Sequence, residues 1–342
     1  MPALLQLDRL SFVLPDGRTL FSDLQFAFAP QRIGLVGDNG VGKSVLARLL
    51  AGQAQPTSGA VRCDGSVHYV AQELDPQRYP TVAALAGMQE VLAALARIAA
   101  GSIDEADYAL VGERWDAHAR LRQALDALDL RHVEADTPTS RLSGGERQRI
   151  ALQGAWLSQA DWLVLDEPSN HLDAHQRARL VAQMARWPGG LLLISHDRGL
   201  LQHVAAIVEL SAQGLRSYGG NYALYAQQRA LEQAGFAAAL QAEKAGARRE
   251  QREAQQQAER QQRRVGRGER EGREGNQSKL LLDAKKERSQ DSQGKLRLRA
   301  QEAQLARQQR VMDASARCAP ETERLLLAPD SQVPSGKLLL EL

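Results

Sequence analysis

A chain of 342 residues with 43 Lys/Arg against 41 Asp/Glu, formal charge +2, is long enough for one large α/β domain plus an appendage. Its two cysteines, Cys63 and Cys318, argue against a disulfide framework and fit a reducing, cytoplasmic setting. No basic-then-apolar leader opens the sequence, and its longest apolar runs fall far short of the ~20 residues that span a bilayer.

In chain order, residues 4–28 alternate apolar and polar around Pro15-Asp16-Gly17, which predicts a pair of antiparallel strands. The apolar run Ile33-Gly34-Leu35-Val36 is then followed by Gly37-Asp38-Asn39-Gly40-Val41-Gly42-Lys43-Ser44, which reads G-x-x-x-x-G-K-S. This spacing predicts a phosphate-binding loop between a buried strand and a helix that opens at Lys43. Glycines let consecutive backbone N–H groups turn toward phosphate oxygens, and the helix adds the positive end of its dipole. Lys43 is expected at the β- and γ-phosphates of a nucleoside triphosphate, and the Ser44 hydroxyl on Mg²⁺.

A stretch rich in Ala, Leu, Glu and Arg, from about Thr81 to Leu130, predicts a helical insert. It leads into Leu142-Ser143-Gly144-Gly145-Glu146-Arg147-Gln148 and a helical run from Ile150 to Leu157. Two strand–helix units follow, one ending in Trp162-Leu163-Val164-Leu165-Asp166-Glu167-Pro168 and the other in Ser195-His196-Asp197 after Leu191-Leu192-Leu193-Ile194. Alternating strands and helices with motifs on the loops imply a parallel sheet with its ligand at the strand C-termini.

Here the chain resembles the ATP-binding cassette (ABC) ATPases. Leu142–Glu146 matches the family's signature motif, and the apolar run into Asp166-Glu167 its second nucleotide motif. His171-Leu172-Asp173 resembles the D-loop, His196 the switch histidine, and Gln72, in Tyr69-Val70-Ala71-Gln72-Glu73, the Q-loop. The resemblance implies an α/β cassette over about residues 1–225, with a mixed sheet and a helical subdomain near residues 75–160. It implies ATP held by Gly37 to Ser44 and Gln72, Mg²⁺ held by Ser44, Gln72 and Asp166, and hydrolysis by Glu167 and His196. Ser143, Gly144, Gly145 and Glu146 would cradle the phosphates of an opposing site. Leu14 stands where the family commonly carries an aromatic against the base, with Phe12 the nearest alternative.

Tyr218-Gly219-Gly220-Asn221-Tyr222-Ala223-Leu224-Tyr225 narrows the resemblance to ABC-F proteins, which join two cassettes by a long helical linker. Residues 227–318 hold 21 Lys/Arg against 13 Asp/Glu and the rest of the chain 22 against 28, so an acidic body carries a basic limb. Gln227 to Arg264 reads as a solvated helix of up to ~57 Å, which Gly266, Gly268, Gly272 and Gly275 are expected to break. A second helix is expected from about Lys279 to Ala316, interrupted near Gly294, so that residues 226–318 make a helical hairpin with a basic tip. Arg263, Arg264, Arg267, Arg270, Arg273, Lys279, Lys285 and Lys286 are its candidate phosphate contacts. The ABC-F resemblance implies a ribosome, tRNA or rRNA partner for that tip. A DNA-binding relative and the ATPase subunit of a transporter are the alternatives. Lys337 to Leu342 echoes the first strand of the cassette, so residues 319–342 look like the start of a missing second cassette, supplied in cis in a longer protein or by a homodimer.

Overall fold

The computed structural model describes residues 4–170, 172–274 and 301–312. The chain divides after Ala226 into two units.

The first unit opens with β1 (Leu5–Val13) and β2 (Thr19–Phe28), antiparallel strands joined at the Pro15-Asp16-Gly17 turn. Next come β3 (Arg32–Val36), α1 (Lys43–Leu50), β4 (Ser58–Cys63) and β5 (Val67–Val70). The helical insert is four helices: α2 (Val82–Leu85), α3 (Gln89–Ala99), α4 (Glu105–Val111) and α5 (Ala117–Ala127). Then follow α6 (Gly144–Leu157), β6 (Trp162–Asp166), α7 (Ala174–Arg186), β7 (Gly190–Ile194), α8 (Arg198–Leu201), β8 (Ala206–Ser211) and β9 (Gly214–Gly219).

The strands form two sheets. One is antiparallel, in the order β2-β1-β4; the other runs β5-β6-β7-β3-β8-β9, parallel except for β9 at its edge. β6 and β7 are buried at every position, as expected of strands covered on both faces. Their side chains alternate between two cores. Leu163, Leu165, Leu191 and Leu193 pack toward the helices, whereas Trp162, Val164, Leu192 and Ile194 pack toward α1 and the antiparallel sheet. The six-stranded sheet therefore lies between two apolar layers, and its strand ends are held by packing on both sides.

Helix starts follow local chemistry. Thr81 caps α2, Asp104 caps α4, and Ser143 and Asp173 each close a reciprocal capping box, with Glu146 and Gln176. In the insert, Arg97 and Ser102 both donate to the buried Asp107 carboxylate, which pins α3 to α4.

The second unit departs from expectation in one respect. α9 runs unbroken from Tyr222 to Glu274, through Gly266, Gly268 and Gly272, and would measure ~80 Å at 1.5 Å per residue. A helical glycine costs about 1 kcal/mol relative to Ala but removes no hydrogen bond and adds no clash. Surrounded by Arg, Glu and Gln, with no proline, an established helix propagates through it. Residues 301–312 form a further helix, α10, whose Arg307 and Arg310 reach Glu250 of α9 at 3.1 and 3.3 Å. The expected break at Gly275, the helix between Lys279 and residue 300, and residues 319–342 lie outside the described residues.

Burial also sets a pH dependence. His68 on β5 packs against Gly87, and desolvation lowers its pKa to about 4. The unfolded chain then takes up a proton near pH 6.5 that the folded chain refuses until about pH 4. Stability is expected to rise with pH across that window, His68 contributing about 2 kcal/mol between pH 5 and 7. Urea midpoints of wild type and His68→Gln should converge at pH 5 relative to pH 7. Parallel pH profiles would refute the assignment.

Candidate nucleotide site

β3 lies between β7 and β8 and delivers Gly37 to the C-terminal edge of the parallel sheet. The loop that follows depends on close approach. Gly42 has φ +101, and a Cβ there would stand 2.7 Å from the Phe21 ring; at Gly37 a Cβ would collide with the Leu210 carbonyl. Lys43 begins α1 with its amine folded back over the loop, donating to the carbonyls of Gly37 (2.7 Å) and Asp38 (2.9 Å). Burial lowers its pKa, while the nearby charges of Glu167, Asp38 and Asp166 act to raise it. Asp38, Asn39 and Gly40 are exposed at the loop's crest, and Val41 packs partly on the core.

Pairing with β7 brings the end of β6 to the same edge. Asp166 is fully buried. Tyr69 donates to its Oδ2 at 3.1 Å, and a hydrogen bond from Ser44 also favours the charged form. Among the described residues its Oδ1 has no hydrogen-bond partner. Glu167 is held at φ +47, a backbone region disfavoured for a non-glycine residue, with its N–H bound to the Ile194 carbonyl at 2.8 Å. Its buried Oε1 has no hydrogen bond either, and lies 3.6 Å from His196 Nε2. Desolvation raises the pKa of both carboxyls. Two acceptors buried without donors, beside a buried ammonium and a serine hydroxyl, suit a divalent cation and a water.

His196 is exposed at the end of β7, and Gln72 is exposed two residues past β5. Ser143 caps α6, accepting from the Glu146 N–H at 3.3 Å, while Glu146 accepts from the Ser143 N–H at 2.8 Å. That backbone bond, with the Ser143 hydroxyl, holds the Glu146 carboxyl below its usual pKa. A Cβ on Gly144 or Gly145 would meet nothing within 4 Å. Among the described residues no hydrogen bond joins Ser143–Glu146 to the phosphate loop. The structure therefore brings Lys43, Ser44, Asp166, Glu167 and His196 together and leaves the signature motif facing outward.

Phe12 lies opposite Phe21 and packs partly on the core, while Leu14 is half-buried where the β1–β2 turn begins. On α9, Arg263, Arg264 and Arg267 are exposed, and Arg270 and Arg273 lie further along the same helix. His171, Lys279, Lys285 and Lys286 lie outside the described residues. Sequence reasoning missed Tyr69 as a partner of Asp166. The register that sets Tyr69 beside Val164, two residues before Asp166, is what aligns them.

The family model for ABC transporters matches residues 21–170. The energy-dependent translational throttle protein EttA of Mycobacterium tuberculosis is 35% identical over 241 residues, 62% of this chain and 42% of that protein. EttA of Escherichia coli K12 is 34% identical over 244 residues, 65% of this chain and 44% of that protein. The tylosin resistance ATP-binding protein TlrC of Streptomyces fradiae is 34% identical over 242 residues, 64% and 44% respectively. The chain thus spans under half the length of these relatives. Among the described residues no helix is long and apolar enough to cross a membrane. With phosphate loop, signature helix, family match and relatives in agreement, residues 21–170 are an ABC ATPase domain, and the chain is similar to the ABC-F proteins.

Proposed function

We propose that this chain binds and hydrolyses ATP and acts in the cytoplasm on translating ribosomes through its basic helices. The observation that carries the hydrolytic reading is the pair of buried carboxylate oxygens, on Asp166 and Glu167, that lack hydrogen-bond donors beside Lys43. Lys43 and the loop amides of Gly37 to Gly42 hold the triphosphate. Mg²⁺, held by Ser44, Gln72 and Asp166, would supply positive charge against the phosphate oxygens. Glu167 holds the attacking water and His196 keeps Glu167 and that water in line with the γ-phosphorus. As the water oxygen bonds to phosphorus, the bridging P–O bond breaks, leaving ADP and phosphate. Raised by burial, the Glu167 pKa makes it a better proton acceptor than a solvated carboxylate.

Glu167→Gln keeps the shape and loses the base. It is expected to leave ATP affinity within about threefold while lowering turnover by about 10² or more. Lys43→Ala should instead lose affinity. An unchanged ATPase rate in folded Glu167→Gln would remove that residue from the chemistry.

The open face of Gly144 and Gly145 supports a site completed from outside the cassette, by the signature motif of a second one. ATP is then held between the phosphate loop of one copy and Ser143–Glu146 of another. Specific ATPase activity of the isolated chain is expected to be low and to rise with protein concentration. A concentration-independent rate in a monomeric sample would contradict this.

For the ribosomal reading, support comes from the exposed Arg263, Arg264 and Arg267 of α9 and from the EttA relatives, which are named translational throttle proteins. Arginine forks bind phosphate in pairs, and no aromatic interleaves them for base stacking. Replacing Arg263, Arg264, Arg267 and Arg270 by Ala should weaken ribosome co-sedimentation and flatten its salt dependence by about one log–log unit per lost contact. Undiminished binding with an unchanged salt slope would remove the helix from the interface, and preference for naked DNA would favour a DNA partner.

A further inference from the structure

The first turn of α9, Tyr222 to Tyr225, belongs to the first unit and carries two unlike attachments to it. One is buried. Glu209 of β8 accepts hydrogen bonds from Tyr218 of β9 (3.1 Å) and Tyr225 of α9 (3.2 Å), and those two rings meet edge-on at 5.0 Å. Asn221 caps the same turn through the Leu224 N–H. This clamp ties the helix start to β8 and β9.

The other attachment is exposed and leads back to that site. Arg198, first residue of α8, lies over the Tyr222 ring at 5.5 Å. Only Asp197 separates it from His196, and the backbone between them is held stiffly. The Asp197 N–H donates to Ser195 Oγ at 3.0 Å, and its carboxylate accepts from Gly199 N–H at 2.8 Å and pairs with Arg177 of α7 at 3.6 Å. A shift of His196 against Glu167 has little slack to absorb it before Arg198. An exposed cation over an aromatic face is a weak contact, so it can be remade without unfolding the turn.

We infer that Arg198 and Tyr222 are positioning residues that couple the state of the Glu167–His196 site to the first turn of the long basic helix. The inference rests on the reading of that site as one for ATP. It assigns to the Tyr218–Tyr225 segment two separate tasks: attachment through Glu209 and Tyr225, and signalling through Tyr222.

Hydrogen exchange of residues 222–228 in the full chain tests it, with Glu167→Gln as background so that bound ATP persists. MgATP is expected to change exchange there by at least about threefold. Arg198→Ala and Tyr222→Leu should abolish that change while ATP affinity stays within about twofold. Arg198→Lys and Tyr222→Phe, which keep a cation and a ring, should retain it. Tyr225→Phe should raise exchange equally with and without ATP, the mark of a purely structural tie. If ATP binds but leaves 222–228 unchanged, or if Arg198→Ala keeps the full response, the inference is overturned. Absence of ATP binding would overturn the nucleotide reading itself, and the coupling with it.

Discussion

A strand buried on both faces that ends in two carboxylates is the constraint on which the rest of this molecule depends. Five residues of β6 contribute only apolar side chains and Asp166 to the interior, and the next residue is Glu167. Placing negative charge at the end of such a strand is unfavourable unless something positive meets it. Among the described residues the answer is partial: Lys43, the Tyr69 hydroxyl and Ser44 face Asp166, yet one oxygen of each carboxylate stays without a donor. The apolar layers on either side of β6 hold the groups too firmly to relax toward water. Stability is thereby given up locally, and the two open acceptors suit a cation.

The strained backbone at Glu167 belongs to the same arrangement. A left-handed turn directly after the last sheet residue costs about 1–3 kcal/mol for a non-glycine side chain. Glycine would remove that cost and the carboxylate with it. The bond from the Glu167 N–H to the Ile194 carbonyl secures the turn to β7, the strand that leads into His196. Carboxylate and imidazole therefore follow the ends of neighbouring strands of one sheet, Glu167 directly after β6 and His196 two residues after β7.

Much of this was legible because glycine spacing, apolar runs and capping residues are local signals. The phosphate loop, the start of α1 at Lys43, the burial of β6 and β7, and the Ser143 cap all follow from residues within a few positions of one another. What sequence alone hid depends on register or on distant contact. Tyr69 reaches Asp166 because β5 pairs with β6, and Glu209 meets Tyr218 and Tyr225 across a sheet edge and a helix turn. The continuity of α9 through Gly266, Gly268 and Gly272 was hidden for a different reason. A glycine marks a place where a helix can end, not one where it must, and the flanking Arg and Glu carry the helix onward.

The charge division of the chain follows from the same logic. The cassette is acidic overall and holds Lys43 buried beside carboxylates, its amine folded over the loop carbonyls. The long helix does the reverse, leaving Arg263, Arg264 and Arg267 exposed along a solvated rod with scarcely any apolar face to bury. Such a rod gains little from packing, so its length must be sustained by helix propensity and by scattered ion pairs such as Glu250 with Arg307 and Arg310. Surface ion pairs of this kind are worth at most about 1 kcal/mol and weaken with salt. The firm end of the rod is accordingly its first turn, where Glu209 and the tyrosines replace exposed charge with buried hydrogen bonds.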